Sequence, residues 1–200
     1  MNLNHQDQDV RPIKDIDTLE QVEDTLLNNF KYGVRNLTIF QVGKATLLRV
    51  SDVLNLKYDD VFDEGDEVKR SAYIRDKKTK KTHRIYLNPV ADDLYKYQRW
   101  LKKKDVRSRW LFPNSRDMNK PMATTQYYQI MMKVGDLLGI SYLGTHTMRK
   151  TGAYMVYKQS NFNLALVMKL LNHSSAAMTL HYLGLEEASM ESALDKIEFH

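Results

Sequence analysis

Residues 67–88 break a pattern that otherwise runs through most of the chain. Here β-formers (Val68, Tyr73 and Ile74, then Ile85, Tyr86 and Leu87) flank a polar, lysine-rich connection at positions 77–81, which reads as a hairpin. On either side, apolar residues recur at helical spacing. Ile16, Leu19, Val22, Leu26 and Phe30 mark a first amphipathic helix, with Asp17 and Glu20 spaced as a capping box. Asn36 is suited to cap a second helix through Thr46, and Ser51 a short third one carrying Val53 and Leu54. Beyond the hairpin, Val90, Leu94, Tyr97 and Leu101 define another helix, and Thr124 opens one that Gly139 stops. Three more are read over 147–158, 164–171 and 176–182. One small antiparallel sheet within a helical chain predicts a mainly α, α+β fold.

With 42% hydrophobic residues in a chain of 200, there is material for one sizeable core, and a single compact unit is expected. The net charge of +5 and a pI near 9.2 favour a polyanionic partner. The absence of cysteine excludes disulfides, thiolate metal sites and a cysteine nucleophile. No stretch approaches the roughly 18 apolar residues of a membrane span, and residues 1–14 lack the apolar centre of a secretion signal. A soluble, cytoplasmic protein is expected. The polar opening MNLNHQDQDV reads as a flexible leader or linker over 1–11, with order beginning near Pro12.

The chemistry concentrates in the C-terminal half. In GTHTMRKTGA, His146 and Arg149 stand three apart at a helix start, where an imidazole and a guanidinium on one face can converge on a small anion. Alone, such a pair is as readily a surface feature. It is followed by LLNHSSAAMTLHYLG, with His173 in a turn, serines able to cap the next helix, and Tyr182 near that helix's end. Acids with metal-ligand spacing are not evident: Asp59, Asp60, Asp92 and Asp93 read as capping and surface residues, so neither a metal nor another cofactor is expected.

Residues 170–184 resemble the segment of tyrosine recombinases, the phage-integrase family, in which a leucine-rich helix ends at a histidine, serines open another helix, a threonine follows, and the nucleophilic tyrosine closes it. Upstream, LLRVSDVLNLKYDDV is similar to the family's first-arginine box, with Arg49 and Asp52 in the places of its arginine and acid. The hairpin at 75–87 resembles the family's second and third strands, whose turn presents a catalytic lysine; Lys78, directly before Thr79, matches it. The resemblance runs from about Pro12 to Gly184. One departure is Asn172, where the family usually has glycine before the histidine; asparagine tolerates the left-handed conformation best among the other residues, so the turn is expected to survive.

The resemblance implies the catalytic-domain fold of those enzymes and a site-specific recombinase that cleaves and rejoins DNA through a covalent 3′-phosphotyrosyl intermediate, in integration, excision or inversion. Ionising a phenol of pKa near 10 at pH 7 costs about 4 kcal/mol, so the site must help the nucleophile Tyr182. Arg49 and Arg149 would hold the non-bridging oxygens, with His173 donating to the same oxygens. His146 would accept or orient the phenolic proton, Lys78 would protonate the leaving 5′ oxygen, and Asp52 would orient a neighbouring base. Phosphate contacts would come from Arg75, Lys77, Lys80, Lys81 and Arg84.

Double-stranded DNA at a specific site is the implied partner, with a monomer in free solution and a homotetramer on DNA, and a bacterial, phage or mobile-element origin. The domain is expected over 12–185. Residues 186–200 carry Met190, Leu194 and Ile197 as one apolar stripe, expected to form a helical tail that contacts a neighbouring subunit. The alternatives are a type IB topoisomerase-like enzyme with the same constellation, or a catalytically silent DNA-binding regulator on the same fold.

Overall fold

The computed structural model describes residues 10–75 and 82–185. The expected hairpin turn, the leader up to residue 9 and the tail 186–200 lie outside the described residues. The helices are α1 (Ile16–Asn28), α2 (Gly33–Thr46), α3 (Val50–Leu54), α4 (Tyr58–Val61), α5 (Ala91–Lys103), α6 (Thr124–Leu138), α7 (Thr147–Gln159), α8 (Leu164–Leu171) and α9 (Ala176–Tyr182). Between α4 and α5, β1 (Ser71–Arg75) pairs antiparallel with β2 (Thr82–Tyr86). The mainly α arrangement with one small sheet is the one expected. Ala72 lies opposite Ile85, and both are buried with Ile74, while Tyr73, Arg84 and Tyr86 face outward. This alternation puts one face of the hairpin on the core. Val68 lies just outside the strands, in a single bridge to Phe62.

Helix α2 is the hub. It touches α1, α5, α7, α3 and β2, so its apolar residues are not confined to one stripe: Ile39, Phe40 and Val42 are all fully buried. Helix α1, by contrast, is amphipathic and lays Leu19, Val22 and Leu26 inward. Burying each such side chain contributes about 1.5–3 kcal/mol. A second, smaller cluster of Leu47, Ala153, Val167, Leu171 and Leu183 lies under α7, α8 and α9.

Several helix starts differ from the sequence expectation. Asp15, not Asp17, caps α1: its carboxylate accepts from the Thr18 amide at 2.8 Å. Helix α2 begins at Gly33, three residues before Asn36, which is buried inside it. Arg49 rather than Ser51 is the N-cap of α3. Ala123 precedes α6, and the Gln126 side chain accepts from its amide at 3.1 Å. The stops agree better. Gly139 is left-handed (φ 69°) after α6, and so is Asn172 (φ 56°) after α8, so asparagine does support that turn. The chain is tied down earlier than Pro12: the Arg11 amide donates to the Tyr142 carbonyl at 3.3 Å, and Lys150 Nζ to the Val10 carbonyl at 2.5 Å.

Helices α2 and α7 approach so closely that at two points a glycine leaves no room for a Cβ of its own. A Cβ on Gly43 would stand 2.2 Å from the Met148 sulfur, and one on Gly152 1.9 Å from the Lys44 carbonyl oxygen. The second neighbour is backbone and cannot swing away. Gly152→Ala is therefore expected to destabilise the fold by about 1–3 kcal/mol, in spite of alanine's better helix propensity. Thermal unfolding checks this; a melting temperature equal to or above that of the parent would show the two helices are free to part.

Candidate active site

The α2–α7 contact sets the frame of an open cleft of about 380 Å³, lined by Arg49, Asp52, Arg84, Arg149, Lys169 and Asn172 among others. Arg49 enters from the turn that follows α2, where Leu47 takes a left-handed conformation (φ 56°) and redirects the chain into α3. Asp52, in the first turn of α3, is 6% exposed. Arg149 comes from the first turn of α7 and is equally buried; its Nη2 donates to the Leu171 carbonyl at 3.3 Å. That bond ties α7 to the C-terminus of α8, immediately before the His173 turn.

His173 follows the left-handed Asn172, and its amide closes the end of α8 on the Met168 carbonyl at 2.9 Å. Its Nδ1 lies 3.1 Å from the Thr179 hydroxyl, on α9. Ser175 caps α9, accepting from the Met178 amide at 3.3 Å. One edge of His173 meets the Tyr182 ring, with centroids 5.2 Å apart at 84°. Two cations flank the same ring, the Arg149 guanidinium at 5.9 Å and the Lys150 ammonium at 5.1 Å from its centre. The Tyr182 hydroxyl is buried, with no hydrogen-bond partner among the described residues.

The electrostatics follow from this crowding. Burial raises the Tyr182 pKa, and the nearby Arg149 and Arg49 charges oppose that rise. For His173 burial, Arg149 and Arg49 all act in one direction and lower its pKa, which favours the neutral imidazole. An anion placed among these groups would favour the charged form of His173, and by offsetting Arg149 and Arg49 it would add to the rise for Tyr182. With four cations and one buried carboxylate around it, the cleft is suited to a phosphodiester in contact with forked donors.

Arg49, Arg149, His173 and Tyr182, named from the sequence, thus come together. His146 stands exposed at the N-cap of α7, one turn before Arg149, and its link to the cluster is its place on that helix. Arg84 borders the cleft, bonds the Ser71 hydroxyl at 3.0 Å and stacks over Tyr86; Arg75 is exposed at the end of β1. Lys77, Lys78, Lys80 and Lys81 lie outside the described residues. Sequence reasoning missed Lys150 and Lys169. Lys150 directly follows Arg149 and Lys169 precedes His173 by four, but nothing in that spacing separates them from the many surface lysines.

Among the described residues no helix is long and apolar enough to cross a membrane. The model of the phage integrase family matches residues 17–188. A probable integrase/recombinase, YoeC of Bacillus subtilis strain 168, is 31% identical over 185 residues, covering 92% of this chain and 94% of that protein. The tyrosine recombinase XerC of Caldanaerobacter subterraneus subsp. tengcongensis is 28% identical, over 74% of this chain and 41% of its own length. In fold, the chain is similar to the XerA recombinase (TM-score 0.69, 20% identity, 94% of this chain and 67% of that one). It is also similar to the XerH recombinase in a post-cleavage complex (TM-score 0.67, 18% identity, 91% and 51%), and so spans about half of that chain. The chain belongs to the phage integrase family, the tyrosine-type site-specific DNA recombinases.

Proposed function

We propose that this chain cleaves and rejoins double-stranded DNA at a specific site, with Tyr182 as nucleophile and a 3′-phosphotyrosyl link as intermediate. The observation that carries this reading is the convergence of Tyr182 and His173 on Arg149, which lines the adjoining cation-rich cleft together with Arg49. The scissile phosphate would sit between the guanidiniums of Arg49 and Arg149, which neutralise the charge growing on its non-bridging oxygens. His173 would donate a further hydrogen bond there. Attack by the Tyr182 oxygen forms the phosphotyrosine and expels the 5′ oxygen, which takes a proton from Lys78. His146 would accept the phenolic proton, and Asp52 would orient the arginine-bearing turn beside it. Because the phosphoester bond energy is kept, a 5′ hydroxyl from a second duplex can reverse the step without ATP.

Binding would rest on phosphate contacts from Arg75, Lys77, Lys80, Lys81 and Arg84. The relatives in solved complexes include a lambda integrase fragment (residues 75–356 of that protein) as a dimer on a core site and XerH on its difH substrate. That likeness supports double-stranded DNA as the partner; from the sequence we further propose a homotetramer on DNA, a monomer when free, and a cytoplasmic protein of bacterial, phage or mobile-element origin. Residues 12–185 would act as the catalytic domain, with 1–11 as leader. The tail 186–200 would dock its Met190, Leu194 and Ile197 stripe on the adjacent subunit.

Tyr182→Phe tests the nucleophile in two ways. The variant should bind DNA but form no covalent adduct on a nicked suicide substrate. Since the hydroxyl is buried without a partner, losing it should also stabilise the free domain, by up to about 1 kcal/mol. An adduct from the Phe variant moves the nucleophile elsewhere, and a clear loss of stability gives the hydroxyl a structural bond.

Lys78→Ala should slow cleavage of an ordinary strand yet largely spare one with a 5′-thiolate leaving group, which needs no proton. Strand-cleavage rates on the two substrates decide this. The same rescue seen for Lys80 or Lys81 instead would shift the register of the turn.

A further inference from the structure

The pair His173–Thr179 is not explained by packing alone. Thr179 is fully buried, and its hydroxyl lies within hydrogen-bond distance of two groups: the Ser175 carbonyl at 3.1 Å and His173 Nδ1 at 3.1 Å. A hydroxyl has one proton to give. The Ser175 carbonyl can only accept, and it already takes the Thr179 amide at 3.3 Å; with the threonine proton directed to it as well, the contact with the ring uses a proton on Nδ1. The His173 tautomer is therefore set by a threonine six residues along, at the helix that carries the nucleophile.

We infer that Thr179 is a positioning residue for strand cleavage: by fixing His173 as the Nδ1–H tautomer it leaves Nε2 unprotonated in the free protein, so that His173 becomes a phosphate donor only by taking up a proton from solvent when DNA binds. The inference rests on the reading of the cleft as a phosphodiester site. A neutral imidazole held this way offers a lone pair at Nε2, which repels a phosphate oxygen. As the imidazolium it donates from both nitrogens, keeping Thr179 on one side and gaining the phosphate on the other.

The charged and titratable groups around the ring explain why uptake waits for the substrate. Arg149 and Lys150 on α7, Arg49 ahead of α3 and Lys169 on α8 are cations close to the ring or lining the adjoining cleft, and Tyr182 on α9 is neutral. Together they disfavour another positive charge until a phosphate enters among them; the lowered His173 pKa agrees in direction. The sign is then fixed. The protonated fraction, and with it the cleavage rate, falls as pH rises through the His173 pKa of the DNA complex. The histidine thus acts as a sensor of phosphate occupancy, and the threonine is the reason it starts in the silent form.

Nitrogen-15 NMR of His173 in the free protein reads the tautomer directly. Protonated Nδ1 with unprotonated Nε2 is expected, changing to protonation of both on a half-site duplex carrying Tyr182→Phe protein. Nε2–H as the main species of the free protein overturns the inference, whatever the activity. In Thr179→Val, near-isosteric but without the hydroxyl, the Nε2–H tautomer should appear. Adduct formation on the suicide substrate should then no longer wait for proton uptake, and the fall in its rate towards alkaline pH should be lost or much flattened. Thr179→Ser should restore both tautomer and profile. A Val variant with the parent's pH profile overturns the positioning role even if the tautomer is as expected. A parent protein that forms no adduct at any pH overturns the cleavage reading instead, and leaves the two NMR outcomes to decide the tautomer and its response to DNA.

Discussion

Everything in the cleft depends on how near α2 can come to α7. At Gly43 and Gly152 the helices touch through backbone and a methionine side chain, with no room for a single additional carbon. Close contact of this kind is rigid, because interiors packed to crystal density transmit small displacements rather than absorb them. Arg49 leaves the turn at the end of α2, and Arg149 sits in the first turn of α7, one helical turn before Gly152. Their separation is thus set by the glycine contact and not by the arginines themselves, whose long side chains would otherwise sample many positions. Fork-like recognition of a phosphate needs that pre-arrangement, since ordering two guanidiniums at the moment of binding carries a large entropic cost.

The second dependence is electrostatic. A cleft lined by Arg49, Arg84, Arg149 and Lys169 is in tension with itself until an anion arrives. Buried Asp52 offsets part of this charge. The remaining tension falls on the two titratable groups, pressing His173 towards neutrality and opposing the effect of burial on Tyr182. Tyr182, the proposed nucleophile, is held with two cations close to its ring and its hydroxyl buried, which favours the shielded, protonated form in the free domain. Phosphate entry offsets those cations, which links binding to the charge on His173; it gives Tyr182 no help in ionising, so a base must take that proton.

Much of this was legible in the residues. Helical spacing gave the helices other than the single-turn α4, and a change to β-formers located the hairpin, because both depend on local periodicity. The ordered set from Arg49 to Tyr182 was legible as motifs, and Asn172 was read correctly as a left-handed turn because its backbone preference is a local property. What failed is equally physical. Asp15 outcompeted Asp17 as the cap of α1, since either could serve and only the chain's approach path decides. Gly43 and Gly152 carry no local signal, since glycine is a poor helix former, and only the neighbouring helix gives them a purpose. Lys150 and Lys169 carried no spacing that set them apart, and Thr179 belonged to a recognisable segment without a visible role until its hydroxyl was found between Ser175 and His173.

The central claim is that the oxygen of Tyr182 becomes bonded to DNA. Trapping the protein on a nicked suicide substrate, digesting with trypsin and sequencing the DNA-linked peptide by mass spectrometry tests it most directly. Cleavage after Lys169 and Lys196 would release a peptide in which Tyr182 is the one tyrosine. The account predicts the nucleotide on that residue. A nucleotide on any other tyrosine, or on Ser174 or Ser175 beside it, would contradict it.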